Sequence, residues 1–230
     1  MSEAPQTITP TEVNELQIVD TDLVVVAQPK KKYPSITARD WATILGENKY
    51  ETPWALLEKK VENKHPFFGN TATQHGQKYE KEAIETYEFF TNTKVDSEFK
   101  NLKHKDYEFL TGRPDGLSDS QAVVEIKCPQ KRRINLTLQD IAPQYWAQCQ
   151  VYMEMMNREV AHYVEYYCNE ETGEHNLQYV AIVRDRQWFK QSIPIIQKFH
   201  DEIKHYYDLG SLDTHPVRLC QTAWENNLKN

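Results

Sequence analysis

Apolar residues follow a helical spacing through the first half of the chain. A first helix is predicted to begin after Thr37, a residue that can cap a helix, and to end at Gly46. A second helix begins at Pro53, because proline is favoured at the first helical position. Apolar residues three or four positions apart then predict a long helix over 71–91.

The spacing of apolar residues changes from a helical to a strand pattern in the second half of the chain. Short runs rich in β-branched and aromatic residues predict strands over 94–99, 107–110, 122–128, 160–168 and 176–184. Further helices are predicted over 140–157 and from Asp185 to about Leu209. This order predicts an α+β, or mixed α/β, fold in which helices flank a central mixed sheet.

Composition divides the chain into three parts. Residues 1–33 contain three prolines and many polar residues, which is typical of a flexible arm. The folded domain is expected over 34–210, with a C-terminal tail over 211–230. The first residues lack the basic flank and apolar core of a secretory signal, and no stretch approaches about 20 apolar residues. We therefore expect a soluble, intracellular protein of a host cytoplasm or nucleus, without a membrane partner.

The charge balance limits the kinds of nucleic-acid protein that fit. The 27 Lys and Arg against 34 Asp and Glu give a net charge of −7. Domains that coat nucleic acid without specificity usually carry a basic excess, so that class is disfavoured. An enzyme that acts on DNA remains possible, because clustered carboxylates around a metal contribute negative charge. Two local basic clusters are present, at 30–32 and 131–133.

The segment with the clearest chemistry is an aspartate at a turn followed by a strand with an acid and a lysine. Asp115 lies in Gly-Arg-Pro-Asp-Gly, and Glu125 and Lys127 lie ten and twelve residues further on. Side chains two apart share one face of a strand, so Glu125 and Lys127 are neighbours. The opposite face is apolar and is expected to pack in the core: Val124, Ile126 and Cys128.

Two nearby carboxylates repel each other and are stabilised by a cation between them. Mg²⁺ suits such a site, since it binds a few oxygen ligands and keeps several water molecules. A lysine beside it can orient a water or stabilise developing negative charge. The pattern thus indicates metal-assisted hydrolysis of a phosphodiester, with an ordinary solvated Glu–Lys strand face as the alternative.

Two other segments add to this pattern. Glu80 lies on the long helix beside its apolar stripe, and taken alone would be a solvated glutamate. Gln148 and Tyr152 are four residues apart and share a face of the helix predicted after the sheet. Taken alone, that segment would be an amphipathic helix with a buried tyrosine.

Together these segments resemble the phage lambda exonuclease, or YqaJ-like viral recombinase, family of the PD-(D/E)xK nucleases. The matching pieces, in order, are Ser35–Ala38, the Gly-x-x-Tyr-Glu of 76–80, Pro114–Leu117, Glu125–Pro129 and the Tyr-x-Ala-Gln-x-Gln of 145–150. The resemblance implies a restriction-endonuclease-like core. It also implies a Mg²⁺-dependent exonuclease, with Mn²⁺ as a substitute, that digests one strand of duplex DNA from a 5′ end. The product would be a 3′ overhang for a single-strand annealing protein, and the enzyme a homotrimeric ring.

The resemblance also implies the metal ligands. These would be Asp115, Glu125 and the backbone carbonyl of Ile126, while Glu80 would complete the acidic site directly or through water. His75 precedes this glutamate by five residues. We expect a structural role for His75, because a hard metal ion prefers oxygen ligands.

Two further residues are given catalytic roles by the resemblance. Lys127 would help to activate the attacking water, and Gln148 would position that water or the scissile phosphate. The family's prototype has an arginine, thought to hold a terminal 5′ phosphate, where this chain has Lys32. Lysine can neutralise a phosphate but lacks the arginine fork, so a strong preference for phosphorylated 5′ ends does not follow.

Several basic residues are expected to contact DNA. Lys131, Arg132 and Arg133 follow the catalytic strand and would contact the backbone, and Arg113 adjoins Asp115. Trp146 could stack on a DNA end, although a tryptophan on an amphipathic helix more often packs in the core.

Three alternatives remain to be compared with the exonuclease. The same core serves structure-specific and sequence-specific endonucleases, because fold and metal site do not fix specificity. A non-catalytic DNA-end-binding module is disfavoured by the presence of all five candidate catalytic residues. The iron–sulfur branch of these nucleases needs clustered cysteines near the C-terminus, where only Cys220 is present, so no iron–sulfur cluster is expected.

Overall fold

The computed structural model describes residues 32–64, 71–98, 100–131 and 135–228. The chain divides into two units, at 1–33 and 34–230. The predicted N-terminal arm therefore lies almost entirely outside the described residues, as do Arg132 and Arg133. The fold below is that of the second unit.

Six α-helices are present in the described part of this unit. They are α1 (Trp41–Ile44), α2 (Pro53–Glu62), α3 (Thr71–Thr91), α4 (Pro143–Met156), α5 (Arg186–Leu209) and α6 (Pro216–Leu228). The local sequence explains where several of these helices begin or end. The Thr52 side chain accepts the Ala55 N–H at the start of α2, and Asp185 accepts the Trp188 N–H at the start of α5. Gly210 ends α5 with a φ of 72°.

Eight strands, in two sheets, lie within the described ranges. They are β1 (Ile36–Thr37), β2 (Val95–Asp96), β3 (Leu102–Lys103), β4 (Leu110–Gly112), β5 (Gly116–Ser118), β6 (Val123–Lys127), β7 (Val160–Cys168) and β8 (His175–Val183). The larger sheet has the order β2-β5-β6-β7-β8, in which only β6 and β7 are parallel. The smaller sheet has the order β1-β4-β3, in which β1 and β4 are parallel.

The central strand β6 is buried on both faces. Val123 packs into a large apolar cluster with residues of α1, α2, α4 and α5. Val124 and Ile126, on the other face, pack against Tyr79 and Tyr87 of α3. The expectation of an apolar core on the 124–128 face is thus confirmed, but the opposite face is also covered, by α4. Glu125 and Lys127 consequently lie at the boundary between the sheet and a helix.

The expected fold class, with a mixed sheet flanked by helices, is confirmed. The bounds predicted for α3, β7 and the end of α5 agree with the structure. The C-terminal segment predicted as a tail contains α6, and Leu212 within it is fully buried. Each helix in the described ranges is too short or too polar to span a bilayer.

Candidate active site

Asp115 lies in the turn that joins β4 to β5. Its carboxylate oxygen Oδ2 accepts a hydrogen bond from the backbone N–H of Ile126 at 2.7 Å. The turn is therefore fixed to the central strand although Asp115 and Ile126 are eleven residues apart in the sequence. Asp115 is partly exposed.

The Ile126 carbonyl faces the same edge of β6 as its N–H. This follows because the N–H and C=O of one strand residue point to the same side of the strand. Strand β5 begins at Gly116, opposite Val124, and does not extend to pair with Ile126. The Asp115 carboxylate occupies that position instead. A carboxylate and a backbone carbonyl thus lie side by side beyond the end of the β5–β6 pairing.

Glu125 is completely buried, which is unusual for a carboxylate. Its Oε1 contacts the Lys127 ammonium and accepts a hydrogen bond from Gln148 Nε2 at 2.7 Å. Its Oε2 is buried without a hydrogen-bond partner in the described part of the chain. Burial, together with the nearby charge of Asp115, raises the pKa of Glu125 to about 7.

Lys127 lies between this carboxylate and an aromatic ring. Its Nζ contacts Glu125 and is 4.9 Å from the centre of the Tyr145 ring. Burial disfavours the ammonium, but the charges of Glu125 and Asp115 outweigh burial and raise the Lys127 pKa. Lys127 is therefore a charged hydrogen-bond donor rather than a base.

Glu80 reaches the same region from α3. Its side chain is half-buried, and burial followed by the charge of Asp115 raises its pKa. The positive charges of Arg113, Lys127 and Arg39 oppose that rise. The carboxylate of Glu80 is thus electrostatically part of the site, on the side opposite α4.

Helix α4 contributes two buried side chains. Gln148 donates one amide proton to Glu125 and the other to the Tyr152 hydroxyl, at 3.3 Å. The Tyr152 hydroxyl in turn donates to the Arg113 carbonyl at 2.8 Å. No described residue donates to the Gln148 carbonyl oxygen, so this acceptor is available to a water or a substrate.

Arg39 belongs to the site, although the sequence analysis did not select it. Strand β1 runs parallel to β4, with Thr37 opposite Thr111, and Ala38 lies beside Gly112. Arg39 follows directly and is exposed. Partial desolvation opposes its charge, but Tyr152, Glu125, Asp115 and Glu80 outweigh that effect and raise its pKa. No hydrogen bond joins its guanidinium to a described residue.

The structure gives less detail for the basic residues that were predicted to contact DNA. Arg113 is exposed next to Asp115, and Lys131 is exposed after β6. Lys32 is exposed but belongs to the first unit, so its position relative to the site is not described. Arg132 and Arg133 lie outside the described residues.

Two side chains considered in the sequence have mainly packing contacts. Trp146 makes an edge-to-face contact with Trp188, with ring centres 5.0 Å apart, at the border of the larger core. His75 packs on Tyr79, with ring centres 4.7 Å apart. Both contacts agree with structural roles for these residues.

A cleft of about 380 Å³ opens beside the site. It is lined by Gln77, Glu80, Lys81, Ile84, Ser97 and Arg113. Glu80 and Arg113 belong to both the cleft and the site, so the cleft adjoins the candidate carboxylates. The lining combines cationic and polar groups, which suits a phosphate-bearing chain.

The donor set fits a divalent metal with few protein ligands. No cluster of three or more His, Cys, Asp or Glu side chains suited to a metal occurs within the described ranges. Asp115, the Ile126 carbonyl and the unpartnered Glu125 Oε2 nevertheless offer three oxygen donors. Such a small set of oxygen donors is typical of Mg²⁺ sites in proteins, since this ion keeps several of its water molecules.

The fold and this arrangement of two carboxylates and a lysine on adjoining segments define a nuclease of the PD-(D/E)xK type. The model of the YqaJ-like viral recombinase domain matches residues 28–159, more than half of the chain. The chain belongs to this family and is a deoxyribonuclease. The family predicted from sequence is thereby confirmed. No curated protein is a significant match to the chain.

Solved structures share the fold at low sequence identity. An alkaline exonuclease from Laribacter hongkongensis, LHK-Exo, is 20% identical, with a TM-score of 0.61 over 80% of this chain and 94% of its own. The structure of LHK-Exo in complex with dAMP is 19% identical, with a TM-score of 0.59 over 80% of this chain and 94% of its own. A phage-related exonuclease from Haemophilus somnus 129PT is 17% identical, with a TM-score of 0.56 over 77% and 95%.

Sequence spacing alone could not select Arg39 or identify the role of Tyr152. Arg39 stands next to the Ser35–Ala38 segment, but an arginine before a helix is common and carries no distinctive spacing. Tyr152 shares a helix face with Gln148, which was the available signal. Its contact with Arg113 depends on the packing of α4 against β4.

Proposed function

We propose that this chain is a Mg²⁺-dependent exonuclease that degrades one strand of linear duplex DNA from the 5′ end. The observation that carries the proposal is the buried Glu125 Oε2, which has no hydrogen-bond partner among the described residues and lies beside Asp115 and the Ile126 carbonyl. A buried unpaired carboxylate oxygen is costly, and a bound cation would offset that cost. Mn²⁺ is expected to substitute for Mg²⁺.

Asp115, Glu125 and the Ile126 carbonyl would hold the metal, with Glu80 contacting it directly or through water. When bound, the metal would supply Lewis-acid activation of the phosphate and a more acidic water. The ammonium of Lys127 would orient that water and stabilise negative charge that develops at the phosphate. The Gln148 carbonyl oxygen, to which no described residue donates, would accept a hydrogen bond from the same water.

Arg39 and Arg113 are proposed to hold the phosphates of the cleaved strand. Both are exposed and adjoin the carboxylates. Arginine matches phosphate oxygens in a two-point contact, so these residues are better suited to this task than Lys32. Lys131, Arg132 and Arg133 are proposed to contact the duplex backbone further from the reacting phosphate.

The exonuclease assignment, rather than an endonuclease, is supported by the names of structural relatives. LHK-Exo and the Haemophilus protein are both exonucleases, and LHK-Exo was crystallised with dAMP, a mononucleotide. The family name, viral recombinase, supports the production of 3′ overhangs for an annealing partner. A homotrimeric ring around DNA is part of the same proposal.

The test is a digestion of linear duplex DNA labelled at the 5′ or the 3′ end, beside a closed circle. Each substrate is incubated with Mg²⁺ or with EDTA, and Glu125→Gln serves as the matched inactive variant. We expect Mg²⁺-dependent release of the 5′ label and an intact circle. Cutting of the circle would instead identify an endonuclease, and a folded protein that binds ends without cleavage would identify a binding module.

A further inference from the structure

Tyr152 connects two parts of the candidate site through one hydroxyl group. The hydroxyl donates to the Arg113 carbonyl at 2.8 Å, at the start of the turn that carries Asp115. It accepts a hydrogen bond from Gln148 Nε2, which also donates a hydrogen bond to Glu125. Tyr152 thus links the turn that carries one candidate metal ligand, Asp115, to Gln148, which contacts the other candidate ligand, Glu125.

The Tyr152 ring is held in place by tight packing. The residue is 1% exposed and belongs to the larger apolar cluster. A Cβ atom at Gly112 would lie 2.6 Å from the ring carbon Cε1 of Tyr152. Real Cβ atoms do not approach so closely, so a side chain at 112 would displace the ring. The absence of a side chain at Gly112 therefore allows the hydroxyl to reach Arg113.

The polarity of the hydrogen bonds is uniform along this connection. Gln148 donates to Tyr152, and Tyr152 donates to Arg113, so each bond polarises the next. Both amide protons of Gln148 are used, which leaves its carbonyl oxygen facing away from Glu125 and Tyr152. Burial and the charge of Glu125 raise the Tyr152 pKa, so the hydroxyl keeps the proton that it donates.

We propose that Tyr152 is a positioning residue that holds the Asp115 turn and the Gln148 amide in their catalytic arrangement. The inference rests on the proposed nuclease function, for which it adds a residue that does not itself touch the substrate. Small displacements of catalytic groups are costly, and an error of 1 Å can reduce a rate by about 100-fold.

The decisive variant is Tyr152→Phe, which keeps the ring and removes the hydroxyl. Its matched control is Tyr166→Phe, because Tyr166 is equally buried, and its hydroxyl donates to Glu82 at 2.6 Å on the other face of the sheet. Steady-state cleavage of linear duplex DNA gives kcat and KM, and thermal unfolding gives stability. We expect Tyr152→Phe to reduce kcat by about 10-fold to 100-fold with KM within about twofold. Tyr166→Phe should leave both constants unchanged.

A double-mutant cycle separates positioning from general stability. Because Tyr152 is proposed to hold both the Gln148 amide and the Asp115 turn, Tyr152→Phe should reduce the rate of Gln148→Ala by a smaller factor than it reduces the wild-type rate. Full additivity, or a Tyr152→Phe enzyme with the kcat of the wild type, would overturn this inference alone. A folded wild-type protein that cleaves no DNA would overturn the proposed function and the inference with it.

Discussion

Asp115 accepts the backbone N–H of Ile126 at 2.7 Å, at the point where β5 no longer pairs with β6. A side chain thus replaces a strand as the hydrogen-bond partner of the central strand. The same contact places a carboxylate next to a backbone carbonyl that could bind a metal. Asp115 therefore has one structural function and one proposed catalytic function, and these can be separated.

The Asp115→Asn variant should separate the structural function of Asp115 from its proposed catalytic function. The asparagine carbonyl can still accept the Ile126 N–H, so we expect stability within about 1 kcal/mol of the wild type. The loss of a charged metal ligand should reduce cleavage by at least about 100-fold. Asp115→Ala should lose the hydrogen bond as well as the activity. Urea denaturation and an end-labelled cleavage assay measure the two effects, and an active asparagine variant would contradict the ligand assignment.

Mg²⁺ should stabilise the wild-type protein through Glu125. At a concentration 100 times the dissociation constant, a ligand of the native state adds about 2.7 kcal/mol of stability. For a chain of this size, that corresponds to a rise in Tm of about 5–10 °C. Glu125→Gln has nearly the same shape but no charge, so its Tm should respond weakly. A thermal-shift titration with Mg²⁺ and Mn²⁺ measures this, and equal shifts in both proteins would place the metal elsewhere.

Lys127 should contribute to rate rather than to DNA affinity. Its ammonium is paired with the buried Glu125, so it is well placed for the reacting phosphate and poorly placed for the duplex backbone. We expect Lys127→Ala to bind DNA like the wild type and to lose about 100-fold or more in rate. Lys127→Met, which keeps an apolar stem against Tyr145, controls for lost packing. A variant with weakened binding and a normal rate would make Lys127 only a phosphate anchor.

The long elements could be predicted because their periodicity is sustained. Helix α3 shows its spacing over 21 residues and β7 over nine, so both bounds follow from the sequence. Strand β5 has three residues, which is too few for an alternation to be visible. The strand predicted over 107–110 is observed at Leu110–Gly112, because its pairing with β1 and β3 determines its extent.

The candidate site was predictable where residues share one element. Glu125 and Lys127 lie on one strand face, and Gln148 and Tyr152 on one helix face, so local periodicity is sufficient. Arg39 comes close to Asp115 only because β1 pairs with β4, which is a long-range contact. The local spacing of residues does not predict such pairings. The residue that the sequence suggested for binding a terminal phosphate was Lys32.

Arg39 should contribute to DNA binding through a phosphate. Removing one phosphate contact lowers the salt dependence of the binding constant by about one unit of slope. We expect this change for Arg39→Ala and a weaker loss of affinity for Arg39→Lys. Lys49→Ala, which removes an exposed lysine beside Tyr50, should leave the slope unchanged. Titrations at several salt concentrations, with the metal removed to prevent cleavage, provide the slopes.

The basic cluster after β6 should also contribute to the salt dependence of DNA binding, and more strongly than Arg39. Replacement of Lys131, Arg132 and Arg133 by alanine removes three positive charges, so the slope should fall by up to about three. Binding should weaken similarly for all DNA sequences, because phosphate contacts carry no base information. An unchanged slope would mean that the duplex follows another surface.

Glu62 should make stability depend on pH through its contacts with the C-terminal segment. Its carboxylate accepts the Leu212 N–H at 2.9 Å and contacts Arg218 at 3.1 Å and Lys64 at 2.6 Å. Burial opposes ionisation, but these partners prevail and lower the Glu62 pKa from 4.5 to about 2. A lowered pKa stabilises the folded state fully above the unfolded value, and this stabilisation is lost as the pH falls towards 2.

Glu62→Gln should therefore reduce the free energy of unfolding by about 2 kcal/mol at pH 7. The difference from the wild type should shrink as the pH falls below about 4.5, since the wild-type carboxylate then becomes protonated as well. Glu85→Gln is the control, because Glu85 is exposed and lies 3.8 Å from Lys81, and it should cost less than about 0.5 kcal/mol. Urea denaturation of the three proteins between pH 3 and pH 7 measures these effects. A Glu62→Gln penalty that stays constant over that range would show that packing, rather than charge, connects α2 to the C-terminal segment.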